Sequence, residues 1–511
     1  MTLHIHKYSH NYALYQPPHV MQSTIMGYVR NNLVQMMKYR RWNNEIVTKV
    51  TNVYAFRRVD PLEIRMQIST MPGFIDWMRS NGYQDIQIVE KPLYEPAKVE
   101  FTINTTKRPF DYQIPIIEYL KSPGYRKVLP LQAGQGKTLC ALFAVKDMGV
   151  RTALILKPMY IKRWMDDLAT EKGIFNLTPN ELAVVQGSAA LGGLLRQAVD
   201  GDIPYKFIII SNRTFANYIR DYKDHVNMEK YANVEPSRFF EVLKIGNRLV
   251  DEGHQDFYSV FTMDCFTNCH KCLELSATLE PDDPFMKRMY ELLYPREIRY
   301  DDGRYVKYVN VVAVPFNLDQ SVKKRINFQQ RGMTSYSHNA LEDSILRSAE
   351  RLKNFLQMVV ALTEKFFISQ RYKDYRLLIF ASRVDMCQTI ADHLSTLYPD
   401  LKISKYTQEE DYEITKTMDI IVSTPMSAGT AVDIEKLQTT ICTVAIGSTQ
   451  LNLQMIGRLR ELRDSDIKPT FVYTYCVDIE QQVNYHVKKR DVIFKNKVIS
   501  YLDLTPPKFR I

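Results

Sequence analysis

Short apolar runs rich in β-branched residues recur along this chain, separated by segments long enough for an amphipathic helix. KVLPLQA, TALILKP, KFIIISN, RLVDEG and KCLELSAT fall between residues 127 and 278; RLLIFAS, MDIIVST, TICTVAIGS and FVYTYCV fall between 376 and 477. Runs of this kind predict strands covered by helices on both faces, the pattern of a doubly wound parallel sheet. A helix-rich stretch in the 340s and 350s separates the two series. The pattern therefore predicts two α/β lobes in tandem, 99–305 and 306–511. Residues 1–98 read differently, as a small α+β domain: strands at EIVTKVTNVYAF and DIQIVE, a helix from Leu62 to Asn81, and a basic aromatic turn at Lys38–Trp42. EKPLYEPAKVE, with Pro92 and Pro96, predicts a linker out of that domain. The tail HVKKRDVIFKNKVISYL predicts a basic helix.

Size and composition narrow the class. A chain of 511 residues with 45% hydrophobic content has room for two or three domains with substantial cores. No apolar run approaches the roughly 20 residues of a membrane span, and the N-terminus has no apolar h-region, so neither a membrane anchor nor a signal peptide is expected. A cytoplasmic location is expected. The net charge of +10 favours a polyanionic partner. Residues 1–98 carry twelve Lys/Arg against seven Asp/Glu, which marks them as an accessory nucleic-acid-binding domain with Lys38, Arg40, Arg41 and Trp42 as contacts. Seven cysteines at irregular spacing argue against a disulfide framework. Cys265, Cys269 and Cys272 have the spacing of the iron–sulfur loop of radical-SAM enzymes. Cys272 however falls on a strand-like run that would turn its thiol into a core, so packed free thiols are expected.

Three motifs carry chemistry. Gln132-Ala-Gly-Gln-Gly-Lys-Thr138 follows a strand and opens a helix. Gly134, Gln135 and Gly136 let backbone N–H groups close round phosphates, Lys137 reaches the β- and γ-phosphates, and Thr138 offers a hydroxyl to Mg²⁺. The leading Gly of the strict phosphate-loop pattern is Leu131 here. Val250-Asp251-Glu252-Gly253-His254 ends another strand, where Asp251 would hold Mg²⁺ and Glu252 would polarise the attacking water. Gln454-Met-Ile-Gly-Arg-Leu-Arg460 lies in the second lobe, and its arginines could neutralise charge on a transferring phosphoryl group from the facing side.

These motifs resemble, in order, those of a superfamily 2 helicase of the DExH kind, over about residues 107–480. Arg108-Pro-Phe-Asp-Tyr-Gln113 resembles the adenine-recognising segment, with Gln113 on the base. Leu156-Lys157-Pro158, running on to Trp164, Ser211–Thr214 with Arg213, Ser276-Ala-Thr278, Ile379–Ser382 and Ser423-Thr424 through Gly429-Thr430 supply the remaining motifs. The resemblance implies two tandem RecA-like lobes and ATP with Mg²⁺ as cofactors. It implies catalytic roles for Lys137, Asp251, Glu252, His254, Gln454, Arg458 and Arg460, and nucleotide contacts from Gly134 to Thr138 and at Gly429. Nucleic acid would lie along Lys157, Pro158, Arg213 and Thr424. Within that superfamily the chain resembles the UvsW-type phage branch-migration helicases, through the YRRWNNEIV region, the GTAVDIEKL run and the basic tail. That likeness implies a DNA helicase acting on forks, four-way junctions and RNA–DNA hybrids in viral replication, recombination or repair, in the host cytoplasm; a monomer is expected. The family places its second motif VI arginine where Glu461 stands; Arg460 lies one residue early and Arg463 two late, and Arg460 is the expected finger. An ATP-driven RNA helicase, a transcript-release translocase and an origin-binding protein are the alternative readings.

Overall fold

The computed structural model describes the chain except residues 1, 41–45, 58–61, 133, 225, 254–256, 277–278, 280–282, 302, 304–305, 320–335, 408–409, 411–412, 429–433 and 463–465. Four expected site residues, Arg41, Trp42, His254 and Gly429, and the alternative finger Arg463 lie outside the described residues.

The N-terminal part contains β1 (Leu3–Lys7), β2 (Asn11–Tyr15), β3 (Val34–Arg40), β4 (Ile46–Asn52), β5 (Ala55–Arg57), β6 (Glu63–Gln67) and β7 (Ile86–Glu90), with helices His19–Asn32 and Met71–Ser80. Five strands form a mixed sheet in the order β5-β6-β2-β1-β7. Two expectations fail here. The segment expected as helix from Leu62 is strand β6 up to Gln67, and the helix starts only at Met71. All five residues of β6 are buried, because Glu63 and Arg65 pair with each other inside instead of facing water. The expected turn at Lys38 is also strand: β3 pairs with β4 as an antiparallel hairpin through Arg40↔Ile46. Among the described residues this hairpin joins no larger sheet, and it exposes Met36 (67%) and Ile46 (61%).

The first lobe is a six-stranded parallel sheet of β8 (Arg126–Pro130), β9 (Thr152–Leu156), β10 (Leu182–Val185), β11 (Phe207–Ser211), β12 (Asn247–Asp251) and β13 (Lys271–Ser276), in the order β10-β11-β9-β12-β13-β8. Every pairing is parallel. The second lobe is again parallel: β14 (Asn310–Asn317), β15 (Arg376–Phe380), β16 (Ile403–Tyr406), β17 (Ile420–Ser423), β18 (Leu437–Cys442), β19 (Thr470–Cys476), β20 (Ser500–Asp503) and β21 (Phe509–Arg510), in the order β16-β17-β15-β18-β19-β14-β20, with β21 also on β14. The molecule thus has two tandem RecA-like doubly wound sheets and a small α+β N-terminal region. The central strands read as unbroken apolar runs because helices cover both faces. The basic tail departs from expectation. Helix Glu480–Lys488 loosens into a wider turn to Ile493, Lys489 is buried with its ammonium 4.3 Å from the Tyr473 ring, and the chain then returns to the sheet as β20.

The N-terminal sheet shares its hydrophobic core with one face of the first lobe. A single cluster runs from Leu3, Tyr12 and Met66 through Phe261 and Cys265 to Tyr290. Beneath it lies a buried polar junction. Asp264 accepts from Arg126 and, at 2.6 Å, from Arg248; Arg126 also pairs with Glu274. Arg248 donates to Cys272 Sγ at 2.9 Å, and the Cys272 thiol donates to Glu274 at 3.0 Å. From the N-terminal side, Asn11 donates to the Asp264 carbonyl at 2.9 Å, and His10 Nε2 lies 3.1 Å from Cys269 Sγ. Cys272 is on a buried strand as expected, but its thiol faces this ionic cluster and not an apolar core. Burial pushes the Cys269 thiol up to about 11.

Candidate nucleotide site between the two lobes

Parallel strands deliver their following loops to one edge of a sheet, and ligands collect there. The phosphate loop follows β8, and Asp251 ends β12, two strands away across β13. Gly134 (φ 84°) and Gly136 (φ 79°) adopt the left-handed backbone that only glycine takes without strain. They wrap the loop under helix Lys137–Met148, whose first N–H groups have no intrahelical acceptor and point at an anion site. Lys137 Nζ donates to Leu131 O at 3.0 Å, across the mouth of the loop. Thr138 stands in the first turn of the same helix.

The electrostatics converge on that mouth. Burial lowers the Lys137 ammonium pKa and the nearby Arg163 and Arg458 lower it further, while Glu252 and Asp251 oppose them. Burial and the Glu252 carboxylate raise Asp251 above the usual carboxylate range, against Arg163, the Trp164 N–H and Lys137. Glu252 sits at φ 50°, a left-handed conformation that non-glycine residues seldom take outside constrained sites, and its N–H bonds Leu275 O at 2.9 Å. Two adjacent acids whose charges disfavour each other, beside a threonine-bearing phosphate loop, suit a divalent cation carrying phosphate. Gly253 is buried against Glu274 and Tyr294: a methyl group built there would lie 3.2 Å from Glu274 Oε2.

Arg460 comes from the other lobe. Ser448 caps helix Thr449–Ile456 by accepting from Leu451 N at 3.3 Å, and the chain leaves the helix at Gly457. Arg460 then reaches the phosphate loop: a methyl group built on Gly134 would lie 3.1 Å from Arg460 Nη1 and 3.5 Å from its Cδ. Arg458 acts on Lys137 from the same side, and Gln454 is buried within the helix. Two more contacts join the lobes. Gln132 donates to Val306 O at 3.3 Å and accepts from Val306 N at 3.0 Å, and Tyr290 bonds Gln450.

Gln113 is buried against the loop. Its Nε2 donates to Gln135 O at 3.1 Å, its Oε1 accepts from Phe110 N at 2.9 Å, and a methyl group on Gly136 would lie 2.2 Å from that Nε2. Arg108 is exposed nearby. The expected polymer contacts lie elsewhere: Lys157 and Pro158 follow β9, Arg213 is exposed in the first turn after β11, and Thr424, bonded to Ser427 at 2.9 Å, follows β17. β12 and β13 separate β9 from the phosphate-loop strand β8, so three strand spacings of about 4.8 Å stand between the two groups. Lys38 and Arg40 are on β3.

Three residues lie inside motifs named from the sequence, Trp164 in a stretch expected to meet nucleic acid, but their individual contacts were not foreseen. Phe110 (52% exposed) stacks on Tyr112 at 5.8 Å beside Gln113, an aromatic surface at the site's rim. Gln132 clasps the inter-lobe connection. Trp164 Nε1 donates to Asp251 Oδ2 at 2.8 Å. The signals in the sequence are an aromatic pair in a polar segment and a tryptophan on a helix that follows a sheet strand.

No protein-family model matches the chain, and no curated protein matches it. Among solved structures it is similar to the crystal structure of the Pyrococcus furiosus Hef helicase domain, at 13% identity and a TM-score of 0.41, over 74% of this chain and 98% of that one.

Proposed function

We propose that this protein is an ATP-dependent superfamily 2 DNA helicase or translocase that remodels branched DNA. The observation that carries the reading is the placement of Arg460, from the second lobe, against Gly134 of the phosphate loop in the first. A nucleotide bound there would be gripped from both sides, so its γ-phosphate would hold the lobes together and its loss would release them. Lys137 and the loop N–H groups would bind the β- and γ-phosphates; Phe110 and Tyr112 would offer the adenine a stacking surface. Asp251 and Thr138 would hold Mg²⁺, which supplies charge neutralisation across the phosphates. Glu252 would orient the attacking water, and Arg460, with Arg458, would meet charge developing on the transferring group. Nucleic acid would cross the ends of β9, β11 and β17, away from the nucleotide, with the basic N-terminal region gripping a junction.

The test is ATP turnover measured with single strand, duplex, fork, four-way junction and RNA–DNA hybrid. The reading expects stimulation by nucleic acid, strongest with branched DNA. Turnover indifferent to every polymer would overturn it; equal stimulation by RNA alone would move the substrate class.

A further inference from the structure

We propose that Trp164 is a positioning residue that holds the Asp251 carboxylate and couples the nucleic-acid face of the first lobe to the nucleotide site. This rests on the function proposed above. Its indole is 1% exposed, on helix Ile161–Ala169, and donates to Asp251 Oδ2 at 2.8 Å. A buried indole N–H needs an acceptor, and a core tryptophan ordinarily finds a backbone carbonyl. Here the acceptor is the acid expected to hold the metal. β9 and β12 are adjacent in the sheet, so the segment following β9 lies beside the end of β12.

That segment has two ends with different surroundings. At its start Lys157 is half-buried, and Pro158 and Met159 are exposed where the polymer is expected. One short helix later, Trp164 grips Asp251, while Arg163 acts on both Asp251 and Lys137. A displacement of residues 157–159 on binding nucleic acid therefore reaches the acid through one rigid side chain. A residue that serves only as core filling would need the ring and not the N–H.

Trp164→Phe keeps an aromatic ring and removes the donor. Partners that orient a metal ligand typically contribute 10–100-fold in metal affinity or activity. The expected result is a rise of about tenfold in the magnesium concentration that half-saturates binding of a fluorescent, non-hydrolysable ATP analogue, read at equilibrium without turnover. Excess magnesium should restore much of the turnover, while the stimulation by nucleic acid stays reduced and nucleic-acid affinity is unchanged. An unchanged magnesium midpoint together with unchanged stimulation would overturn the inference. If the variant does not fold, a second measurement decides. The chain has three tryptophans, so 5-fluorotryptophan incorporation gives three fluorine resonances in the otherwise unmutated protein, with that of Trp164 assigned as the one that persists in both Trp42→Phe and Trp77→Phe. In the unmutated protein this resonance should shift on adding magnesium with the analogue, and shift again with nucleic acid; a resonance blind to both would overturn the coupling. An unmutated protein that binds no magnesium–nucleotide would instead defeat the function proposed above.

Discussion

At the scale of single residues, Lys137 and Arg460 make the sharpest claims. Lys137 bonds its own loop at Leu131 and faces Asp251, Glu252 and Arg458. Lys137→Ala should reduce ATP turnover to background and leave nucleic-acid binding without ATP nearly intact, because the contacts proposed for the polymer, at Lys157, Arg213 and Thr424, follow other strands than β8. Gel-shift and turnover assays on one preparation check both halves. Arg460 is seated on Gly134. Arg460→Ala should keep ATP affinity within a few-fold and cut turnover by about 10³, whereas Arg463→Ala should be mild. Lysine at 460 should rescue poorly, lacking the planar fork that spans two oxygens. An active Arg460→Ala beside a dead Arg463→Ala would place the finger three residues beyond where the packing puts it.

Among elements, the N-terminal sheet carries the clearest prediction. Taken as a basic accessory domain ending at residue 98, it would be expected to come away without harm to the lobes. The packing says otherwise. Helix Phe257–Phe266 of the first lobe lies against β2, β5 and β6, and the hydrophobic cluster is continuous across the boundary. Even the connecting segment is docked, with Ala97 N on Lys244 O and Arg151 N on Ala97 O, both at 2.9 Å. Deleting residues 1–98 should therefore expose Phe261, Cys265 and Phe266 and yield aggregated or loosely packed protein, judged by dye binding and loss of cooperative unfolding. A truncated protein that melts cooperatively and still turns over ATP would show that the shared cluster adds little. The reading of β6 as helix failed for a related reason: its polar residues, Glu63 and Arg65, pair in the interior, so polarity there did not mark a solvent face.

For the molecule as a whole, the buried charges between the N-terminal sheet and the first lobe are the point of greatest stake. Burial alone would raise the Asp264 carboxyl, but Arg126 and Arg248 overcome it and hold the group below its ordinary value. Removing its charge leaves two buried guanidiniums short of a partner. Asp264→Asn should cost about 3–5 kcal/mol, measured by chemical denaturation. Burial holds His10 well below its ordinary 6.5 despite the attraction of Asp264. The unfolded chain therefore takes up a proton as pH falls through about 6.5 while the native state does not, so stability should decline from pH 7 to pH 5.5. The depressed Asp264 adds a further loss only near pH 4 and below, as the unfolded carboxylate protonates. His10→Asn should flatten the slope between pH 7 and pH 5.5; an equally steep slope in that variant would assign the titration to another group.

The two parallel sheets and the order of motifs at their ends were legible in the residues alone. Buried strands in such sheets need unbroken apolar runs, and a phosphate loop needs glycines, a lysine and a hydroxyl at fixed spacing, so both leave local marks. β8, β9, β11, β12, β13, β15, β17, β18 and β19 were all legible this way. Edge strands were not: β16 is half-buried along its length, β20 alternates between half-buried and exposed, and β21 is two residues long, so their patterns are weak. Arg460 at the phosphate loop was expected through the family resemblance alone, whereas Trp164 on Asp251 and the mutual neutralisation of Arg126, Arg248, Asp264 and Glu274 beneath the N-terminal sheet came from the packing. Each joins residues far apart in the chain, and attraction between charges or packing of a ring depends on distance in space, which no local spacing of residues encodes.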